Sequence, residues 1–427
     1  MKNKIKIAIL IVTLFFSLIN YVYAITLKEA IDKALSTSDQ ARLIQENKSY
    51  SYAQANKVDA FTKPRVDTSI KYYELGTTAD DSPFMPTPDR QMVTGLTASK
   101  LLWSGDKINQ SRALKESLMG LAQIEEVSMR RELSKEVSND FLAFLYHQAR
   151  IGVLKDRLKQ REDELSDATD LFEAGMVTNL DVREAKLQLH VAEDSLRSGE
   201  SDLHTALVDF NLAIGESAQE PQTLLMPDGA LTRPQNLNEQ LLTLENLYKD
   251  KKQLDIKKAN QALNISTKSL NLAKDESKPA ISLVAGTEYG GEKADDFEAS
   301  WSLGAQLNWN FYDGGTIDAG VASALAQKKI SEASLNKTEK AISGALNKLK
   351  REVESLNKRI TLQEDTVSLS HGNYEDARGL YLTGTMTLTR LGDFNLLYAE
   401  ARFNLLQLYY LENIISIEIA SLIGDVI

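Results

Sequence analysis

The sequence predicts a mainly helical chain with a small membrane β part, folded as a tandem duplicate. Three observations predict it. Strand-like stretches with one oily face end abruptly in glycine, long runs almost free of Gly and Pro follow them, and the whole order occurs twice. In "WSLGAQLNWNFYDGGTIDAG" apolar residues fall on alternate positions from Trp301 to Phe311, and after Gly314-Gly315 an Ala/Leu/Lys/Glu-rich run begins. Alternation of period two is a strand with two different faces.

The first residues, "MKNKIKIAILIVTLFFSLINYVYA", read as a secretory signal over 1–24: three Lys, an apolar stretch, and Val22-Tyr23-Ala24 before a cleavage point. The chain of 427 residues contains no Cys and carries a net charge of −11, so neither disulfides nor a lipobox cysteine is available. A chain this acidic argues against a nucleic acid partner, which needs a basic face. Beyond the signal no apolar run is long enough for a transmembrane helix, so any membrane segment has to be made of strands. With only eight Pro and long runs of good helix formers, the rest reads as helix.

The duplication shows at one offset of 209 residues. Gly95 matches Gly304, Gly175 matches Gly384, Gly215 matches Gly424, and Trp103-Ser104-Gly105 matches Tyr312-Asp313-Gly314. The first repeat is expected over 25–220, with a hairpin at 64–103, a long helix at 106–172 and a return helix at 176–214. A linker covers 221–236. The second repeat follows over 237–427, with a hairpin at 279–312, a long helix at 315–381 and a return helix at 385–423. Strand candidates are Pro64 to Gly76, Gln91 to Trp103, Pro279 to Gly290 and Ala299 to Tyr312. "GTTADDSPFMPTPDR" and the shorter "GGEKADDFE" are the hairpin loops. Trp301, Leu303, Leu307 and Trp309 are the expected lipid-facing residues of the last strand, with the two Trp near opposite edges of the apolar band.

The long helices repeat every seven residues. One column is Val137, Phe144, Ile151, Leu158, Leu165 and Phe172; its copy is Leu346, Val353, Ile360, Val367, Tyr374 and Tyr381. A sustained heptad means a coiled coil. On the first return helix Val182, Leu189, Leu196, Leu203 and Phe210 form one column. Ala185, Ala192, Gly199, Ala206 and Ala213 form another of small residues, which admits a partner at close range. The return helices and the helices leading into the strands are each expected to run about 37 to 40 residues, and two end to end match one long helix.

Four strands cannot close a barrel in lipid, where an open edge is not tolerated. Closure therefore requires other copies, and three copies give a homotrimeric barrel of twelve strands continuous with a helical coiled-coil barrel. An enzyme finds little support: His147, His190, His204 and His371 lack metal spacing, and "DGGTIDAG" fits neither phosphate-loop pattern. No cofactor, metal or catalytic residue is expected. A coiled-coil structural protein or adhesin of the cell envelope shares the heptads and the signal, but needs no Trp-capped strands.

"NWNFYDGGTIDAGVASA" resembles the strand-to-helix signature of TolC-type outer membrane efflux proteins, and "LFEAGMVTNLDVREAKLQL" resembles their helix-tip signature. The resemblance covers essentially the whole mature chain, including both tip glycines and the final "LIG" at 422–424. It implies a TolC-like trimer in the outer membrane of a Gram-negative bacterium, with a tunnel through the periplasm. Such proteins export small molecules or proteins, docking at their tips to a periplasmic adaptor and an inner-membrane transporter. The docking tips carry over as Gly175, Met176, Val177, Thr178, Gly384, Thr385, Met386 and Thr387. In the family, acidic residues past the second tip narrow the entrance, and a Tyr there is tied to an Asp of the first hairpin. Carried over, these are Tyr381, Asp181 and Asp393; Arg390 replaces the other acid, and Met386 stands where an Arg lock can occur.

Overall fold

The computed structural model describes residues 24–74, 90–216, 225–291 and 297–424. The expected signal (all but Ala24), most of both hairpin loops and the start of the linker lie outside the described residues. The elements in order are β1 (Ala24–Ile25), α1 (Leu27–Thr37), α2 (Asp39–Val58), β2 (Arg65–Glu74), β3 (Arg90–Trp103), α3 (Lys107–Glu173) and α4 (Asn179–Ala213). The second half has β4 (Met226–Pro227), α5 (Leu237–Lys249), α6 (Leu254–Asp275), β5 (Ala280–Gly291), β6 (Glu298–Asn308), α7 (Thr316–Leu382) and α8 (Leu388–Ile423). The chain divides into two units: residues 1–45, 127–254 and 341–427 in one, 46–126 and 255–340 in the other.

α3 and α7 are each unbroken for 67 residues, as the absence of Pro allows. The duplication is visible in the backbone itself. Gly105 and Gly314 have φ +59° and +69°, Gly175 and Gly384 both +74°, and Gly215 and Gly424 +81° and +96°. Each matched pair occupies the left-handed region that favours glycine.

The helix leading into each hairpin is two helices, not one. Ser38 separates α1 from α2: its hydroxyl donates to the Ala34 carbonyl at 2.6 Å and accepts from the Ala41 amide at 3.1 Å. One side chain thus ends one helix and starts the next. In the second copy Lys251, at φ +54°, separates α5 from α6, and its amide bonds the Tyr248 carbonyl at 3.0 Å. Neither break uses Gly or Pro. The Ser38 break has a packing role, because a Cβ on Gly215 would lie 2.8 Å from Ser38 Cα.

The unit of residues 1–45, 127–254 and 341–427 holds three apolar clusters. One gathers Ile31, Val137, Phe144 and Phe210; another gathers Leu241, Val353, Ile360 and Ile419; the third lies at the helix tips. The small-residue column is buried as expected, with Ala185 and Ala192 each 2 % exposed. At Gly199 a Cβ would meet Leu154 Cδ1 at 2.5 Å, so a larger residue there would have to displace the end of the Leu154 side chain. The heptad column of α3 drifts toward the tip: Leu171 is buried, while Phe172 is 42 % exposed. A straight helix of 3.6 residues per turn rotates a strict seven-residue column off the interface. The linker is pinned by Arg233, whose Nε and Nη2 reach the Glu412 carboxylate at 3.0 and 2.8 Å.

In the other unit the strands form a sheet in the order β2-β3-β5-β6, antiparallel throughout. β2 and β6 are its edges. Opposed residues share a face, and the registers align the apolar alternates of all four strands. From the helix-bearing end, successive rungs of that face are Trp103-Ile281-Leu307, Lys100-Leu283-Ala305 and Val66-Ala98-Ala285-Leu303. Then come Thr68-Leu96-Thr287-Trp301, Ile70-Thr94-Tyr289-Ala299 and Tyr72-Met92-Gly291. The opposite face carries Arg65, Ser69, Lys71, Thr97, Ser282, Glu288, Ser302 and Gln306.

Two expectations for β6 need correction. The strand ends at Asn308, not Tyr312, so Trp309 lies outside it. The Trp309 indole donates to the Ser277 carbonyl at 3.2 Å, and the Asp313 carboxylate accepts from the Gly315 and Ile317 amides at 3.0 and 2.7 Å. Side chains that cap the coming helix end the extended run before it. Trp301 sits in the fourth of the six rungs, inside the face and not at its edge; Tyr72 and Tyr289 hold the far end.

Candidate functional site: the helix tips

Both tips are built alike. The Gly175 and Met176 amides bond the Phe172 and Leu171 carbonyls at 2.9 and 2.8 Å, and the Gly384 and Thr385 amides bond Tyr381 and Leu380 at 2.9 and 3.0 Å. This double closure ends a helix on a left-handed glycine. Thr178 and Thr387 are the N-caps of the return helices. The tips also meet each other: Met176 Cε lies 3.1 Å from where a Cβ on Gly384 would stand. Val177 and Met386, equivalent in the repeat, both pack on the cluster of Ala168, Leu171, Tyr374, Tyr381 and Leu391.

The copies differ at the cap. Asp181 reaches back to the Thr178 amide and hydroxyl, at 2.8 and 2.7 Å. Those bonds, the hydroxyl first, hold its carboxyl below the usual carboxylate range. The cap is therefore charged at neutral pH, and its contribution is lost as pH falls through that lowered value. Its counterpart is Arg390, which cannot make this bond. Arg390 instead lies 3.5 Å from Asp393 and stacks over Phe394 at 5.0 Å. Both charged side chains of this pair are more than half exposed.

The tie between Tyr381 and Asp181 that the resemblance implies is not made. Asp181 is committed to its own helix cap, and Tyr381 Oη, in a residue 1 % exposed, has no hydrogen-bond partner among the described residues. Burial, then the nearby Asp181 charge, pushes the Tyr381 hydroxyl up to about 12, so it keeps its proton.

Polar contacts that do join the two helical hairpins begin within two turns of the tips and continue to about five turns from them. Arg161 and Glu164, 2 % and 1 % exposed, pair at 2.6 Å on α3. Glu164 Oε1 accepts from Asn395 Nδ2 on α8 at 2.9 Å and from the Tyr374 hydroxyl on α7 at 3.3 Å. Burial first, then the Glu164 charge, raises the Tyr374 pKa. Arg378 on α7 bonds Asp167 on α3 at 2.9 Å, Arg402 on α8 bonds Asp156 at 2.7 Å, and Thr389 donates to Glu184 at 3.2 Å. Sequence reasoning missed this hub. Its signal was present: Arg161 interrupts the column Leu154, Arg161, Ala168, and Asn395 follows Leu388 by seven.

A second charged group lies between α3 and α4, where Asp140, His147, Asp202 and Asp209 line a shared recess. Burial, then Glu136 and Asp209, pushes the Asp140 carboxyl up to about 6. A raised carboxylate pKa gives stability that is present at about pH 4 and lost as pH rises through about 6. Asp140→Asn is expected to raise the thermal unfolding midpoint at pH 7.5 and leave it unchanged at pH 4. An equal gain at both pH values would contradict this environment for Asp140.

A family model described as outer membrane efflux protein matches residues 31–216 and 251–425, which is most of the chain. No curated protein matches the sequence. Among solved structures, the outer membrane protein VceC of Vibrio cholerae superposes with a TM-score of 0.80 at 16% identity, covering 93% of this chain and 96% of its own. The CmeC outer membrane channel of Campylobacter jejuni gives 0.76 at 14% identity, over 93% and 85%. The MtrE outer membrane channel of Neisseria gonorrhoeae, in its open state, gives 0.71 at 16%, over 93% and 89%. At such identities the structures establish a shared fold. No helix among the described residues is long and apolar enough to cross a membrane. With the family model matched across both repeats, the chain belongs to the outer membrane efflux proteins.

Proposed function

We propose that three copies of this chain close a twelve-stranded barrel in the outer membrane of a Gram-negative bacterium, with the helical body in the periplasm. The observation that carries this reading is the sheet: two edges unpaired in the single chain, β2 and β6, and one mainly apolar face. In lipid such edges must be paired, and pairing β2 of one copy with β6 of the next closes the ring. Residues 25–220 and 237–427 are then the two structural repeats, 221–236 the linker between them, and 1–24 a cleaved signal.

The channel exports solutes or proteins handed over by an inner-membrane transporter, through a periplasmic adaptor docked at Gly175 to Thr178 and Gly384 to Thr387. Exposed, structurally equivalent tips suit a partner that reads both hairpins alike. Asp393, repeated by threefold symmetry, forms a carboxylate ring at the entrance that favours cations, moderated by Arg390. Asp181 and Tyr381 shape the same entrance, each from its own hairpin. The test combines outer-membrane fractionation, chemical crosslinking and export. Wild type is expected as a trimer in the outer membrane, and Thr178→Arg with Thr387→Arg should abolish export with trimer levels unchanged. A monomer, or export that survives both changes, overturns the reading.

A further inference from the structure

One charge on the apolar face of the sheet has no use in the channel as described. Lys100 occupies the second rung from the helix-bearing end, opposite Leu283, with Ala305 beyond it. The next rung is Val66-Ala98-Ala285-Leu303, in which Ala98 and Ala285 are the residues on the two inner strands. Glu74 also lies on that face, at the far end of the sheet. Lys100 itself is exposed. We propose that Lys100 binds the phosphate of a phospholipid headgroup in the periplasmic leaflet of the outer membrane. This rests on the membrane-barrel reading above.

Position argues for a lipid and against a protein partner. β3 lies inside the sheet, between β2 and β5. A second copy that joins at β2 or β6 therefore leaves the outward face of β3 uncovered. Depth argues for the headgroup. One rung is about 7 Å along a strand, or about 5 Å of height at a 45° tilt, within reach of a lysine stem that bends toward the water. The first rung carries Trp103, an amphipathic ring suited to the membrane–water boundary. A lone cation inside an apolar band is costly unless an anion meets it, and a phosphate offers several acceptors to three ammonium donors. Because the helices leave the sheet at this end, the leaflet reached is the periplasmic one, which is made of phospholipid. Lipopolysaccharide occupies the other leaflet.

The experiment extracts wild type, Lys100→Arg, Lys100→Gln and Lys100→Leu from outer membranes in mild detergent. Bound lipid per trimer is then measured by native mass spectrometry and phosphorus assay. Wild type and Lys100→Arg are expected to retain phospholipid, and the Gln and Leu variants to lose about tenfold of it. Lys100→Leu suits hydrocarbon better than lysine, so its trimer yield should equal or exceed wild type. Equal phospholipid on wild type and Lys100→Leu overturns the site, as does lipopolysaccharide in place of phospholipid. Wild type absent from the outer membrane fails the barrel reading itself, a result separate from either.

Discussion

Glu164→Ala is expected to cost about 3 to 5 kcal/mol of local stability where the two hairpins join. The carboxylate is 1 % exposed and faces donors from three helices: Arg161 on α3, Tyr374 on α7 and Asn395 on α8. Its removal leaves a guanidinium that is 2 % exposed without its anion and the buried Tyr374 hydroxyl without an acceptor, while Asn395 keeps only its bond to Gln160 Oε1 at 3.3 Å. Leaving one half of a buried pair behind is the expensive case, whereas replacing both halves with apolar residues is close to neutral. The double variant Arg161→Met with Glu164→Leu should therefore regain most of the loss. Glu164→Gln keeps an acceptor for Asn395 and should fall between. Native-state hydrogen exchange at amides of residues 161–171 and 374–381 reads the opening free energy directly. Exchange in Glu164→Ala within a few-fold of wild type would show that the hub carries no such load.

The second large effect is expected on the sheet, as a gradient with depth. Six rungs span about 34 Å along a strand, or about 24 Å of height at a 45° tilt, close to the apolar band of a membrane barrel. Leu303, in the third rung, then lies near the midplane, while Leu307, in the first, lies near the interface. Leu303→Arg should cost about 2 to 4 kcal/mol and Leu307→Arg about 0 to 1 kcal/mol. Ser302→Arg, on the polar face next to Leu303, should be nearly silent although it adds the same charge. Urea titration of trimer refolded into vesicles separates the three. Equal costs at residues 302 and 303 would mean that the two faces of β6 meet the same solvent.

Some of this was legible in the chain alone. The seven-residue columns marked α3, α4 and α7 as helices with one packed face, because side chains three and four apart on a helix share a face whatever lies opposite, while α4 and α8 begin three residues past the expected 176 and 385. The offset of 209 residues picked out Gly105, Gly175 and Gly215 with their copies, and all six have left-handed backbone. Tip closure is equally local: a positive φ is a property of one residue and its neighbours.

What only the tertiary structure decided is where polar groups of different segments meet. The sequence marked Tyr381 and Asp181 by resemblance, yet Asp181 turns to its own Thr178 and the interhelical contact falls to Glu164. Cap bonds close over three residues, whereas a buried hub depends on how α3, α7 and α8 are set against one another. The breaks at Ser38 and Lys251 escaped notice for a related reason, since neither is a Gly or Pro and only packing and local hydrogen bonds reveal them. The depth of Trp301 was hidden too. Alternation gives the face of a strand residue, but its height comes from the register with three other strands, and register is a pairing between distant parts of the chain.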